Sequence, residues 1–158
     1  MENQNSTFID ISMRYDEDKE YFDLSITDTG DIEADNSFDT TMNCALLTDG
    51  RADSSEVSAV ERQRGTIVDI FTNGRNGSKL WLLEQSRADL NSKNRAVDYA
   101  KKALQFLVDE GYCKNIVVTG SLKEKGISLG IVVERLSGVF DKYRYDAWNA
   151  SMYKEGVR

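Results

Sequence analysis

With 27 acidic side chains in 158 residues, the first chemistry to weigh is acid–base work by paired carboxylates. Glycoside hydrolysis needs two carboxyl groups at a set separation, one to protonate the leaving oxygen and one to act as base or nucleophile. Glu84 with Asp89, and Asp109 with Glu110, are candidates, but chance pairs are plentiful among so many acids. Both read as solvated surface, Glu84 on a helix flank and Asp109-Glu110 at a helix end that the dipole does not favour for acids. Calcium is the second acid chemistry. Asp16-Glu17-Asp18 and the acids from Asp28 to Asp39 lack the D-x-[DN]-x-[DN]-G order with its closing glutamate. Residues 74–79, GRNGSK, superficially resemble a phosphate loop but lack the G-x-x-x-x-G-K-[ST] order, and read as a turn before a helix. The sequence contains no histidine. That removes the usual general base, the usual zinc or iron ligand, and the partner a serine or cysteine nucleophile would need. No catalytic residue, metal site or cofactor is expected, and the chain is read as a non-enzyme.

Composition sets the frame for those side chains. A chain of this length fits one domain, 1–158, and buries roughly two thirds of its unfolded surface. Its 40% apolar and 30% charged residues describe a globular protein. No apolar run approaches the roughly 20 residues that span a bilayer, so no membrane partner is expected. The first residues, MENQNSTF, lack the basic-then-apolar pattern of a signal peptide, which predicts a cytosolic product. Cys44 and Cys113 sit in dissimilar contexts and read as reduced structural thiols. With no proline in the chain, turns fall to Gly, Asn, Asp and Ser, as in Asp28–Asp31 and Asn73–Gly77. The net charge of −7 hides an asymmetry: residues 1–61 hold 16 acidic and 3 basic side chains, and residues 62–158 hold 11 and 17. Such a chain can pair with itself head to tail or dock on oppositely charged neighbours. The basic side chains are scattered and not interleaved with aromatics, so nucleic acid is not the expected partner.

The elements that position these residues follow from periodicity. Residues 1–6 are polar and read as a loose N-terminus. In Thr7–Arg14, Ile9, Ile11 and Met13 share one face, and in Glu20–Ile26, Phe22, Leu24 and Ile26 do; the polar break at Tyr15–Lys19 makes a hairpin. Phe38, Met42, Ala45 and Leu46 fall on one face of a short helix capped by Asn36 or Ser37. Residues 49–66 read as a charged loop, and Thr66–Phe71 as a short strand or extended loop. Gly77-Ser78 opens a helix carrying Leu80–Leu83. Asn91-Ser92 opens the longest helix, running to about Glu110 with Val97, Ala100, Leu104, Leu107 and Val108 inward, and Gly111 ends it. Lys114–Leu122 and Gly126–Leu136 form a hairpin through Lys123–Gly126, with Ile127, Leu129, Ile131 and Val133 in strict alternation. Residues 139–158 form an aromatic C-terminal strand or arm with Phe140, Tyr143, Tyr145, Trp148, Met152 and Tyr153. The order predicts an α+β fold, a small and mostly antiparallel sheet with helices packed on one face.

Between Thr48 and Arg87 the polar residues come in compact phrases. Taken in order, Cys44–Ala52 (CALLTDGRA), Arg64-Gly65, Gly77–Leu83 (GSKLWLL) and the helix ending Ala103–Gly111 (ALQFLVDEG) resemble the baseplate protein of Mu-like contractile-tailed phages. That group is in turn similar to the lysozyme-like baseplate wedge and sheath-initiator family. The resemblance covers about residues 7–148. It implies a sheath-initiator-like structural protein of the virion tail baseplate, assembled in the host cytoplasm in several copies, six per baseplate. Implied partners are other wedge proteins, the central spike or hub, the tail tube, and a sheath protein that adds a strand to the sheet. The aromatic pair that often follows Arg-Gly in Mu-like relatives is Thr66-Ile67 here, and Asp109-Glu110-Gly111 stands where distant sheath initiators carry Glu-Pro-Arg.

Physical roles can be read for the residues in those phrases. Arg51 and Arg64 can fork onto carbonyls or carboxylates and pin an irregular loop, with Asp49 as a partner or turn-former. Gly65 permits a backbone angle that a side chain would block. Trp81 fills space between the loop and the long helix, and Trp148 packs on the sheet or anchors a neighbour. Two other functions stand beside the baseplate reading: a lysozyme-like peptidoglycan hydrolase and a cytosolic protein-interaction adaptor.

Overall fold

The computed structural model describes residues 8–16, 21–58, 62–72, 76–84, 86–124, 126–146 and 151–154. The chain forms two compact units, Met1–Asn43 and Cys44–Arg158.

In the first unit the run from Thr7 to Arg14 does not stay with one partner. Its strands are β1 (Asp10–Ile11), β2 (Met13–Asp16), β3 (Tyr21–Leu24) and β4 (Ala34–Asp35). β1 pairs antiparallel with β4, and β2 with β3. The switch occurs at Ser12, whose N–H donates to the Glu33 carbonyl while its own carbonyl accepts from Ser25, both within 2.9 Å. Every backbone group at the crossing is thereby satisfied, as a buried chain requires. Ser12 and Ser25 are buried, and their hydroxyls are 3.3 Å apart. Beyond Ile26 a turn closes on Gly30, whose φ of +88° suits glycine. The predicted loose N-terminus, 1–6, lies outside the described residues, as does most of the predicted turn after Tyr15.

Helix α1 (Asp39–Leu47) follows. Ser37 Oγ accepts from the Asp39 N–H at 3.3 Å. Asp10 Oδ2 accepts from the Thr41 N–H at 3.0 Å and also from the Thr41 hydroxyl. These oxygens satisfy first-turn amides that a helix leaves open. All four residues of the predicted stripe, Phe38, Met42, Ala45 and Leu46, are buried.

The second unit is built on an antiparallel meander, β5 (Cys113–Lys123), β6 (Gly126–Arg135), β7 (Phe140–Asp146) and β8 (Ser151–Lys154), in that order across the sheet. The alternation in β6 is fully expressed. Ile127, Leu129, Ile131 and Val133 are almost completely buried, each contributing roughly 1.5–3 kcal/mol of apolar burial. Register places Val118 and Tyr143 on either side of Ile131, and Gly120 and Tyr145 on either side of Leu129. Helix α3 (Leu90–Leu104) lies on this face. A Cβ at Gly120 would stand 2.8 Å from Val97 Cγ2 and 3.0 Å from Lys93 Cγ, so glycine is what lets the helix approach.

Several expectations need correction here. The long helix starts one residue before Asn91, because Asp89 is its cap and accepts from the Ser92 N–H at 2.8 Å. It also breaks at Gln105 into α3 and a single turn, α4 (Phe106–Asp109). Its buried stripe is Ala96, Ala100, Ala103 and Leu104, rotated from the predicted one so that small side chains face the sheet. Val97 and Val108 are half-buried on its flanks. Gly111 ends the helix as expected, with φ +77° and Tyr112 N–H donating to the Leu107 carbonyl at 2.9 Å. Thr66–Phe71 is no strand: it leads into the one-turn helix α2 (Asp69–Thr72). Leu80–Leu83 is a 3-10 turn, too short to develop α-helical hydrogen bonding.

Candidate functional site

The phrases between Thr48 and Glu84 converge on one irregular junction within the second unit. Its frame is a pair of close backbone approaches. Gly50 N–H donates to the Ser78 carbonyl at 2.7 Å, and Ser78 N–H donates to the Thr48 carbonyl at 2.9 Å. Such proximity requires glycine: a Cβ at Gly77, where φ is +77°, would fall 2.4 Å from the Thr48 carbonyl oxygen. Ser78 is buried, and its hydroxyl donates to the Leu46 carbonyl at 2.6 Å, tying the junction to the end of α1.

Arg64 closes it. One guanidinium nitrogen donates to Asp49 Oδ2 at 3.0 Å and the other to Glu84 Oε2 at 3.2 Å. The same group lies 4.4 Å above the centre of the Trp81 ring, where the ring's negative face attracts a cation. Trp81 in turn donates its indole N–H to the Gly50 carbonyl at 2.8 Å. Burial works against the charge on Arg64, but hydrogen bonds and attraction from Glu84 and Asp49 outweigh it and raise its pKa. Burial also pushes the Tyr145 hydroxyl up to about 12, with Glu84 and Asp49 adding to the effect.

Around this clamp stand two supports. Gly65, with φ +96°, leaves room for Asp69 Oδ2, which a Cβ would approach to 2.5 Å. That oxygen accepts from the Thr66 N–H at 2.6 Å, while Asp69 N–H donates to the Thr66 carbonyl. This is the reciprocal capping of a helix start. The second support is Lys79, whose ammonium sits 2.9 Å from Asp53 and 2.6 Å from Glu56. The hydrogen bond from Lys79 is the largest cause holding the exposed Asp53 carboxyl below its usual range.

Of the six residues singled out from sequence, the structure brings together Asp49, Arg64, Gly65 and Trp81. Arg51 lies beside Gly65, but its guanidinium donates to Gln63 Oε1 at 2.9 Å, an amide and not a carboxylate. Trp81 fills its place by stacking under Arg64. Trp148 lies outside the described residues. Glu84 was passed over as a helix-flank acid, since nothing local announces that it meets an arginine 20 positions away. Asp69 did carry a signal: T-x-x-D before apolar residues is a capping pattern. The side chains of the clamp are committed to one another. Among the described residues no group of three or more His, Cys, Asp or Glu could hold a metal ion.

Residues 38–139 match the family described as "Phage protein GP46", a span that takes in the whole clamp. The chain is 32% identical over 102 residues to "Mu-like prophage FluMu protein gp46" of Haemophilus influenzae, covering 64% of this chain and 70% of that protein. It is also 32% identical over 98 residues to "Baseplate protein gp46" of Escherichia phage Mu, covering 61% of this chain and 68% of that one.

Proposed function

The chain belongs to the Phage protein GP46 family, and from that membership we propose that it joins the central spike or tube hub and the wedge to the first sheath ring of a contractile tail, as a sheath-initiator-like subunit. Its general role is that of a structural protein of the Mu-like phage tail baseplate, located in the virion and not acting as an enzyme. The match to a relative named for the baseplate is the observation that carries this reading.

The finer reading has a physical basis in the sheet and the clamp. β5 is an edge strand of 11 residues. A long edge offers a row of N–H and C=O groups to which an incoming segment can add by β-augmentation. Asp49, Arg51, Arg64, Gly65 and Trp81 hold the loop that neighbouring subunits meet, with the exposed Arg51 available at its surface.

Genetic removal tests this directly. Particles assembled without the subunit should show tubes on which no sheath starts, and Arg51→Ala should lower the yield of sheathed tails while circular dichroism of the isolated protein is unchanged. Normal sheaths in particles lacking the protein would overturn the proposal.

A further inference from the structure

We propose that copies of this chain associate head to tail, the exposed isoleucine face of residues 8–35 in one copy receiving the Ile67–Phe71 turn of the next. The inference rests on exposure and charge, independently of the sheath-joining reading.

The first surface is a small sheet with its apolar side outward. Met13 pairs with Leu24 and Ile26 with Ile32, and paired residues share a face. Ile11, two positions from Met13, joins them. Ile11, Leu24, Ile26 and Ile32 are all exposed, Ile26 at 57% and Ile32 at 52%, whereas Ser12 and Ser25 on the opposite face are buried. Sheets with one solvated face ordinarily turn the polar side to water. A contiguous apolar face of this kind marks a surface that is covered in use.

The second surface is a prong. Ile67 is 76% exposed and Phe71 82%, and their spacing of four puts them on one side of a helical turn. The prong is held rigidly from beneath. Asp69 is buried and grips the Thr66 amide, and Asn76 donates to the Thr66 hydroxyl at 3.1 Å. A preformed apolar anchor loses little entropy when it inserts into a partner.

Charge selects the occupant. Residues 8–35 carry ten carboxylates against Arg14 and Lys19, and Asp28 and Asp31 lie in the turn that joins Ile26 to Ile32. Residues 62–75 carry three arginines and one carboxylate, the buried Asp69. The acidic rim of one surface therefore complements the basic rim of the other, and opposite rims set orientation. Pairing of the isoleucine face with its own copy would instead set two acidic rims together. Because the two surfaces differ, the contact is heterologous, and repetition closes a ring or extends a chain.

Sedimentation velocity on the full-length protein at low and high ionic strength tests this. Self-association should appear at low salt and weaken as salt rises. Ile26→Asp and Phe71→Asp, both at exposed positions, should each weaken it at least about thirtyfold with unchanged circular dichroism. Mixed together, the two variants should form a one-to-one complex that grows no further, because each retains the surface the other lacks. A chain that stays monomeric at low salt would overturn the proposal. So would association abolished by Ile26→Asp but untouched by Phe71→Asp, or variants that fail to pair in the mixture.

Discussion

Arg64 adopts a φ of +45°, a left-handed conformation that costs a residue with a Cβ roughly 1–2 kcal/mol. The clamp offsets that cost. Its two ion pairs are 40–55% exposed, so each contributes at most about 1 kcal/mol, and the cation over Trp81 adds roughly 0.5–1 kcal/mol. The balance makes a prediction opposite to the usual ranking of alanine and glycine. Arg64→Ala removes the clamp and keeps the strain; Arg64→Gly removes both. The glycine variant should therefore be the more stable of the two by about 1 kcal/mol in urea denaturation. An alanine variant as stable as the glycine one would show that the backbone here is not strained. At this scale the sequence was informative about type and silent about pairing. Arg-Gly signalled an unusual backbone and Asp49 a partner for arginine. Glu84 could not be chosen among 27 acids, because ion pairs between distant positions leave no local periodicity.

Elements were legible where one face is buried against a large surface. β6 announced itself because Ile127, Leu129, Ile131 and Val133 all meet the core. The N-terminal alternation was read equally well as strand, yet periodicity gives a shared face without saying which way it points, and there the apolar face is outward. α2, at four residues, is shorter than any helical period can reveal. The start of α3 was misplaced because both Asn91-Ser92 and Asp89 are good caps, and only the hydrogen bond decides. That bond has a pH signature. Acceptance from the Ser92 amide is the largest cause lowering the Asp89 pKa from 3.8. A depressed carboxylate contributes stability above its unfolded pKa and loses it as pH falls through the folded value. The contribution of Asp89 should therefore be complete above about pH 4 to 5 and vanish in stronger acid. Asp89→Asn retains an acceptor oxygen but cannot titrate. Thermal melts should show a smaller loss of Tm between neutral pH and pH 3 for Asp89→Asn than for the parent. Identical acid slopes would mean that the cap does not depend on charge.

For the whole molecule, length and composition predict one domain, while contacts within the fold form two units whose division, between Asn43 and Cys44, falls inside α1. A helix of nine residues is marginal by itself, because nucleation is costly and short helices depend on packing along their length. Phe38 and Met42 are buried at its start, and Ala45 and Leu46 at its end. Melting either half would remove support from the other. The chain is therefore expected to unfold as one cooperative domain. Equilibrium urea unfolding followed by tryptophan fluorescence samples Trp81 in the second unit. Hydrogen exchange at the β2 and β3 amides samples the first. Coincident midpoints are expected, and a mutation confined to one unit, Met42→Ala, should shift both together, by an amount equivalent to about 2–5 kcal/mol. Early loss of β2–β3 protection, with the fluorescence transition unmoved by Met42→Ala, would instead make residues 1–43 a separately folding module.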